Sequence, residues 1–316
     1  MKIRMPAFLF TMESRHKGGF NLLLKTVVDY CHNEYLSSKC KKCNHPDKCP
    51  GNHSCKNCLE QIHYPVRHPN GKKDYDCNRM INFYVCDYSF KYASEMLYLM
   101  RASTALKKIK KYNVVSIGCG ACPDLMALEK YCSQCEDSKT ISYYGIDVNT
   151  RWKPIHQIID DYSGKIIKNT TFDYFDAVSE FDDKIIKYAN VLVLQYVISH
   201  FYNTNQISEI EDFFTCIVSN IIAHKQKNNP LVVLINDVNS NNRGRDYFMV
   251  LIDKLKAENL HGHVSRFYFD YRITHEGQRY GTKHPNNKIL YKIPDKFRLY
   301  EPWEQCSSAQ LLIEID

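Results

Sequence analysis

Two short runs of this sequence combine the residue types that nucleotide chemistry needs. In the first, an apolar stretch at 114–117 leads into Gly118-x-Gly120, with Pro123 and Asp124 close behind. Glycines there let the backbone turn tightly and approach a ligand closely, and Pro123 suits the first turn of a helix. The second run, 143–147, ends on Asp147. A carboxylate at such a strand end can accept both hydroxyls of a ribose. Strand, glycine turn, helix, strand and acid together read as a nucleotide-cofactor signature. Gly118-x-Gly120-x-x-Pro123 lacks the third glycine of a dinucleotide-binding turn, and no Gly-Lys-Ser/Thr ending marks a phosphate loop.

A second chemistry lies upstream. Seven of the 14 cysteines fall between Cys40 and Cys86, spaced Cys40-x2-Cys43-x5-Cys49-x5-Cys55-x2-Cys58-x18-Cys77-x8-Cys86. A CxxC turn aims two thiolates at one tetrahedral ion, and Zn–S bonds of about 2.3 Å demand that closeness. Cys40, Cys43, Cys55 and Cys58 are the first set for one zinc. Cys49, Cys77 and Cys86, with one of His45, His53, His63 or His68, would make a second. An iron–sulfur cluster also takes four thiolates and stays open as the alternative. Closed four-ligand sites leave no position for water, so the metal reads as structural.

The glycine turn and its partner acid resemble motif I of the class I S-adenosylmethionine-dependent methyltransferases, a Rossmann-like family with a seven-stranded sheet. The resemblance spans 113–316. It implies that Gly118, Cys119, Gly120 and Asp124 border the cofactor and that Asp147 holds its ribose. Asp173, or Asp176, then falls where the family often places an acid near the adenine amine. Gln195 and Tyr196 end the strand that carries cofactor and substrate contacts. Of the residues beyond it, Tyr196, His200 and Tyr202 could orient a methyl acceptor, and His200, with an ordinary pKa near ~6.5, could act as its base. Asn236 and Asp237 end the next strand at the same sheet edge, which makes Asp237 a further catalytic candidate. The Asn/Asp-Pro-Pro-aromatic motif of many amino-directed nucleic-acid methyltransferases is missing, and no cysteine nucleophile follows the fourth strand. The acceptor atom is therefore open. Cys119 and Cys122 read as small residues filling the loop.

Charge narrows the substrate class. The chain of 316 residues carries a net +7. Residues 1–112 hold 20 Lys and Arg against 9 Asp and Glu, a balance of +11, whereas 113–316 hold 22 against 26, a balance of −4. A basic front fits a region that meets a polyanion. Several RNA methyltransferases resemble this layout, with a cysteine-rich metal module ahead of the Rossmann-like domain. The expected function is S-adenosylmethionine-dependent methyl transfer to RNA or another nucleic acid, with a basic zinc module positioning the substrate. Two alternatives stand beside it: a non-catalytic zinc-containing adaptor for nucleic acid or protein, and a methyltransferase for small molecules or proteins.

These residues need a frame that brings them together. The expected fold is α/β, a mostly parallel seven-stranded sheet with helices on both faces, behind an N-terminal helical and cysteine-rich module. The division is 1–112 and 113–316. Helical spacing predicts helices at 20–36 and 87–112, the second ending in the basic run Lys107, Lys108, Lys110 and Lys111. From 113 onward strands are expected at 114–117, 142–146, 191–194, 231–235, 265–269 and 310–315, with helices at 123–135, 152–163, 205–226 and 244–258. Residues 271–309 look like an insertion or flap. No apolar run approaches the ~20 residues of a membrane span, and no signal peptide is evident, so the expected location is cytoplasmic.

Overall fold

Apolar side chains alternate along the strands, and that period of two sends neighbouring residues to opposite faces of one sheet. Val191 and Val193 join one buried cluster while Leu192 and Leu194 join the other. Val232 and Leu234 likewise part from Leu231, Val233 and Ile235. Strands buried on both faces read as continuous apolar runs, as parallel strands between helical layers do. The computed structural model describes residues 22–38, 54–162, 164–180, 186–227, 229–240, 243–270 and 279–316.

The strands are β1 (Lys111–Ile117), β2 (Thr140–Ile146), β3 (Ile167–Asp173), β4 (Val191–Gln195), β5 (Leu231–Val238), β6 (His263–Tyr268), β7 (Thr282–Lys283) and β8 (Ser308–Ile315). They form one sheet in the order β3-β2-β1-β4-β5-β8-β6-β7. Strands β3 through β5 pair in parallel, and β8 runs antiparallel to both β5 and β6. The expected seven strands gain an eighth, the two-residue β7 parallel to β6. Besides the short β7, the strand absent from the sequence reading is β3. It is an edge strand whose Lys168, Asn169 and Thr171 are exposed, so it lacks an apolar signal.

The helices are α1 (Leu23–Ser37), α2 (Cys55–His63), α3 (Asn78–Ala102), α4 (Ala105–Lys108), α5 (Pro123–Ser133), α6 (Lys153–Asp160), α7 (Ile198–Asn203), α8 (Ile210–Asn220) and α9 (Phe248–Ala257). Helices α1, α3, α5 and α6 contribute to one apolar cluster, α7, α8 and α9 to the other. The helix expected at 87–112 instead starts at Asn78 and stops at Ala102. Eighteen of its 25 residues are buried, so no polar face marks its beginning. Lys107 and Lys108 close the short α4, and Lys111 already belongs to β1. No helix among the described residues is long and apolar enough to cross a membrane.

One buried carboxylate ties α3 to the sheet. Glu95, 0% exposed, accepts from Ser307 N (2.8 Å) and Ser308 N (3.3 Å) at the start of β8. It also accepts from Tyr196 Oη (2.8 Å) after β4 and Asn236 Nδ2 (3.2 Å) in β5. Lys91, one helical turn earlier, lies 3.7 Å away and donates to the same tyrosine oxygen at 3.2 Å. Removing one partner of such a buried pair leaves the other unpaired, which costs about 3–5 kcal/mol. Glu95→Ala should therefore lower the unfolding free energy measured by urea titration by that order, while Asp253→Ala, in an exposed pair with Lys256, should change it little.

Candidate functional site

The parallel strands all end at one edge. There the order turns from β1-β2-β3 on one side to β4-β5 on the other, and open α/β sheets bind ligands at that switch point. The β1–α5 turn is left-handed at Gly118 (φ 64°), Gly120 (φ 51°) and Cys122 (φ 58°). A Cβ on Gly118 would come within 2.7 Å of Val197, so only glycine fits there. Gly118 N and Cys119 N both donate to Ile146 O, at 2.8 and 3.1 Å, which fastens the turn to the end of β2.

Asp147 stands directly beyond β2. Its Oδ2 accepts from Gly120 N at 2.9 Å and its Oδ1 from Asn149 N at 2.8 Å. Each carboxylate oxygen keeps a further lone pair, enough for two vicinal hydroxyls. Burial raises its pKa, and the two amides oppose that rise. Asp173, at the end of β3, lies beside it. Its carbonyl accepts from Asp147 N at 3.1 Å and its Oδ2 from Tyr144 Oη at 2.7 Å. Asp176 instead caps its own turn through Val178 N (2.9 Å) and Ser179 Oγ (3.0 Å). Asp124 is buried at the start of α5 and accepts from Tyr143 Oη at 3.1 Å. Burial and the neighbouring Cys122 push it up to about 7.

On the other side of the switch point, Gln195 ends β4. Its Nε2 donates to Tyr92 O at 2.9 Å, which leaves Oε1 as a buried acceptor without a partner among the described residues. Tyr196 follows at φ 58°, a strained conformation for a bulky side chain. Its ring stacks on Tyr92 (centroids 4.2 Å apart), and its hydroxyl sits between Lys91 and Glu95. Burial and the Glu95 carboxylate hold that hydroxyl far above its ordinary pKa, so it stays neutral. Asp237 is fully buried and accepts from Ile198 N (2.9 Å), Ser199 N (3.1 Å) and Val238 N (2.6 Å). It caps α7, the helix that carries His200. Burial raises it to about 6. Burial lowers the pKa of His200, so the imidazole is neutral at pH 7. His63 is driven down to about 4 by burial, with Lys91 and His200 adding to the effect.

The sequence reading missed Lys91, Tyr92 and Glu95 as site residues. A Lys-x-x-x-Glu pair inside an otherwise apolar and aromatic helix was the available signal. It also missed the aromatic neighbours of the turn: Trp152, against Gly120, lies 6.1 Å in centroid distance from both Tyr75 and Tyr84. Among the cysteines, Cys40, Cys43 and Cys49, with His45 and His53, lie outside the described residues. Cys55 and Cys58 occupy the first turn of α2, and Cys77 precedes α3. Cys86 is buried against α1, its Sγ 3.7 Å from Val28 O, and burial pushes its thiol up to about 12. Eight residues lie between Cys77 and Cys86, and the nine steps along α3 rise about 13 Å. One ion cannot take both, so the second ligand set as expected from spacing does not assemble.

No protein-family model and no curated protein matches the chain. Solved structures do. The plantazolicin methyltransferase BpumL in complex with SAH shares 12% identity over 92% of this chain and 99% of its own, with a TM-score of 0.44. A SAM-dependent methyltransferase from Archaeoglobus fulgidus shares 15% over 69% and 92%, TM-score 0.37. A proposed class I S-adenosylmethionine-dependent methyltransferase from Listeria monocytogenes shares 10% over 93% and 80%, TM-score 0.43. Likeness at this level carries no argument about reaction or substrate. The parallel strands, the switch point between β1 and β4 and the helices on both faces make the fold Rossmann-like.

Asp87 lies one turn before Lys91. It is 8% exposed, with Oδ1 unpartnered among the described residues, and burial lifts it to about 7 against the opposing pull of Lys56 and Lys91. An unfolded aspartate releases its proton near pH ~4. Between about pH 4 and 7 the folded chain thus keeps a proton that the unfolded chain has lost, and rising pH destabilises the fold. Asp87→Asn should remove this cost. Unfolding free energies from urea titration should match wild type near pH 4 and exceed it at pH 8, by on the order of 2–4 kcal/mol.

Proposed function

We propose that this protein transfers the methyl group of S-adenosylmethionine to a nucleic-acid acceptor, RNA foremost. The observation that carries the reading is the pairing of Asp147 with the Gly118–Gly120 turn at the switch point. A ribose-bearing cofactor suits it, because the carboxylate retains acceptors for both hydroxyls and the turn presents no side chain at its two left-handed glycines. Gln195 Oε1, a buried acceptor in want of a donor, fits the ammonium group of such a cofactor. Gly118, Gly120, Asp147 and Gln195 would hold the cofactor, with Asp173 nearby. When bound, it supplies an electrophilic methyl group, and the protein's task becomes alignment and proton removal.

The chain's own residues divide that task. Asp237 fixes the first turn of α7 and so positions His200. Neutral His200 can take a proton from an acceptor that carries one. The Lys91–Tyr196–Glu95 group holds the backbone after β4 in its left-handed turn. For the partner, charge is the guide. At the opposite sheet edge Lys108, Lys110, Lys111, Lys225 and Lys227 surround a cavity of about 880 Å³. The seven residues of β1 place it on the order of 20 Å from Gly118, a span that an extended RNA strand covers. Phosphate contacts of this kind position a nucleic acid without reading its sequence. The basic cysteine-rich N-terminal segment, loaded with zinc, would add to that surface.

Calorimetry with S-adenosylmethionine on metal-replete protein should show saturable binding, weakened at least tenfold by Asp147→Ala, since hydrogen bonds to a charged group are worth about 1.5–3 kcal/mol. Absence of binding by the wild type would sink the methyltransferase reading. Tritium from labelled cofactor should then enter an RNA pool rather than DNA, protein or small-molecule pools. With a labelled acceptor in hand, His200→Gln should reduce kcat by about a hundredfold or more. The acid limb of the wild-type profile should lie below pH ~6.5, because burial depresses that imidazole.

A further inference from the structure

Behind the cofactor turn lies a group of donors that methyl transfer does not use. Cys119, Cys122 and His156 each contribute one ligand atom, and these atoms lie within 4.8 Å of one another. All three residues are buried. Among the described residues no other three His, Cys, Asp or Glu side chains converge in this way.

The spacing suits a tetrahedral ion. Cys119 Sγ is 3.8 Å from His156 Nε2. The carbonyl oxygen of Gly120 faces the same space, 3.9 Å from Cys122 Sγ and 2.7 Å from His156 Nε2. Zinc bonds of about 2.3 Å to sulfur and 2.0–2.1 Å to nitrogen or oxygen put tetrahedral sulfur–nitrogen and sulfur–oxygen pairs about 3.5 Å apart. These two sulfur edges need to contract by only about 0.3–0.4 Å to meet that value. The imidazole–carbonyl edge is at present a hydrogen bond and has to open by about 0.7 Å.

The surroundings already hold the ligands in place. The second nitrogen of His156, Nδ1, lies 2.6 Å from Tyr174 Oη, the kind of outer partner that orients a metal-binding imidazole. Its ring lies flat on Phe172, centroids 3.9 Å apart at 8°. A Cβ on Gly145 would come within 2.9 Å of Cys119 Sγ and 2.7 Å of the Phe172 ring, so glycine keeps the space open for both.

We propose that Cys119, Cys122 and His156 bind one zinc ion, with the Gly120 carbonyl completing the tetrahedron. Two thiol protons leave on binding. The imidazole proton moves from Nε2 to Nδ1, and the Nδ1–H then donates a hydrogen bond to the Tyr174 hydroxyl oxygen. The ion links α6 to the turn that carries Gly118 and Gly120, and is separate from any metal on Cys40 to Cys58.

The test is metal content. Full-length reduced protein is loaded with zinc, desalted and assayed by mass spectrometry, alongside Cys122→Ser and His156→Gln. Each variant should hold one zinc fewer per chain than wild type, with the N-terminal cysteines intact in all. Equal content would overturn the assignment. Should the variants misfold, cadmium-113 NMR of the wild type decides. A two-sulfur resonance distinct from four-sulfur sites supports the proposal. Four-sulfur resonances alone, or a Cys119–Cys122 disulfide that persists in the reduced preparation, would refute it.

Discussion

A carboxylate with no access to water governs how this molecule is assembled. Burying Glu95 costs several kcal/mol, and only a complete set of donors offsets that cost. Those donors come from three distant parts of the chain: Tyr196 beyond β4, Asn236 in β5, and the backbone amides of Ser307 and Ser308. Lys91 adds a counter-charge from the same helix. The network tolerates only one placement of α3 across the strand ends. An N-terminal helix is thereby made a wall of the candidate acceptor site, and the left-handed Tyr196 is held in a backbone conformation it would not adopt unaided.

The same device recurs at two other strand ends with different results. Asp147 and Asp237 each follow or end a parallel strand, and each accepts backbone amides from the segment that comes next or lies beside it. Asp147 serves two amides and keeps lone pairs in reserve. Asp237 serves three and is sealed at 0% exposure. Equivalent chemistry at equivalent positions thus yields one ligand-binding candidate and one residue that only positions a helix. Occupancy of the acceptor sites, rather than residue type, separates the roles.

Charge and shape divide the molecule along the strand direction. The C-terminal edge carries the glycine turn, the acids and an aromatic layer in which Tyr75, Tyr84 and Trp152 close over Gly120. The N-terminal edge carries five lysines around one cavity, with Asp316 as its one acidic side chain. A small uncharged substrate would need only the first edge. A phosphate chain would find use for both, which is why polyanion binding and methyl transfer belong to one hypothesis here.

Much of the frame was legible in order. Apolar runs located β1, β2, β4, β5 and β8, because strands between helical layers must be apolar on both faces, and β6 was placed although its outer residues are exposed. Gly118, Gly120 and Asp147 announced themselves, because a tight turn and a strand-end acid are local requirements. The edge strand β3 was hidden by its own polarity, and α3 by burial on nearly every side. What composition and spacing could not supply was partnership across the fold. Glu95 meets Ser308 across 213 residues and Cys119 meets His156 across 37. Sequence alone determined most of the strands, helices and turns, since those choices rest on periods of two to four residues. Tertiary structure alone decided that Asp237 is a cap, that Cys86 lies far from Cys77, and that Lys91 and Glu95 meet at the Tyr196 hydroxyl. Each of those outcomes depends on which donors a buried group finds, and that is settled only when the chain closes around it.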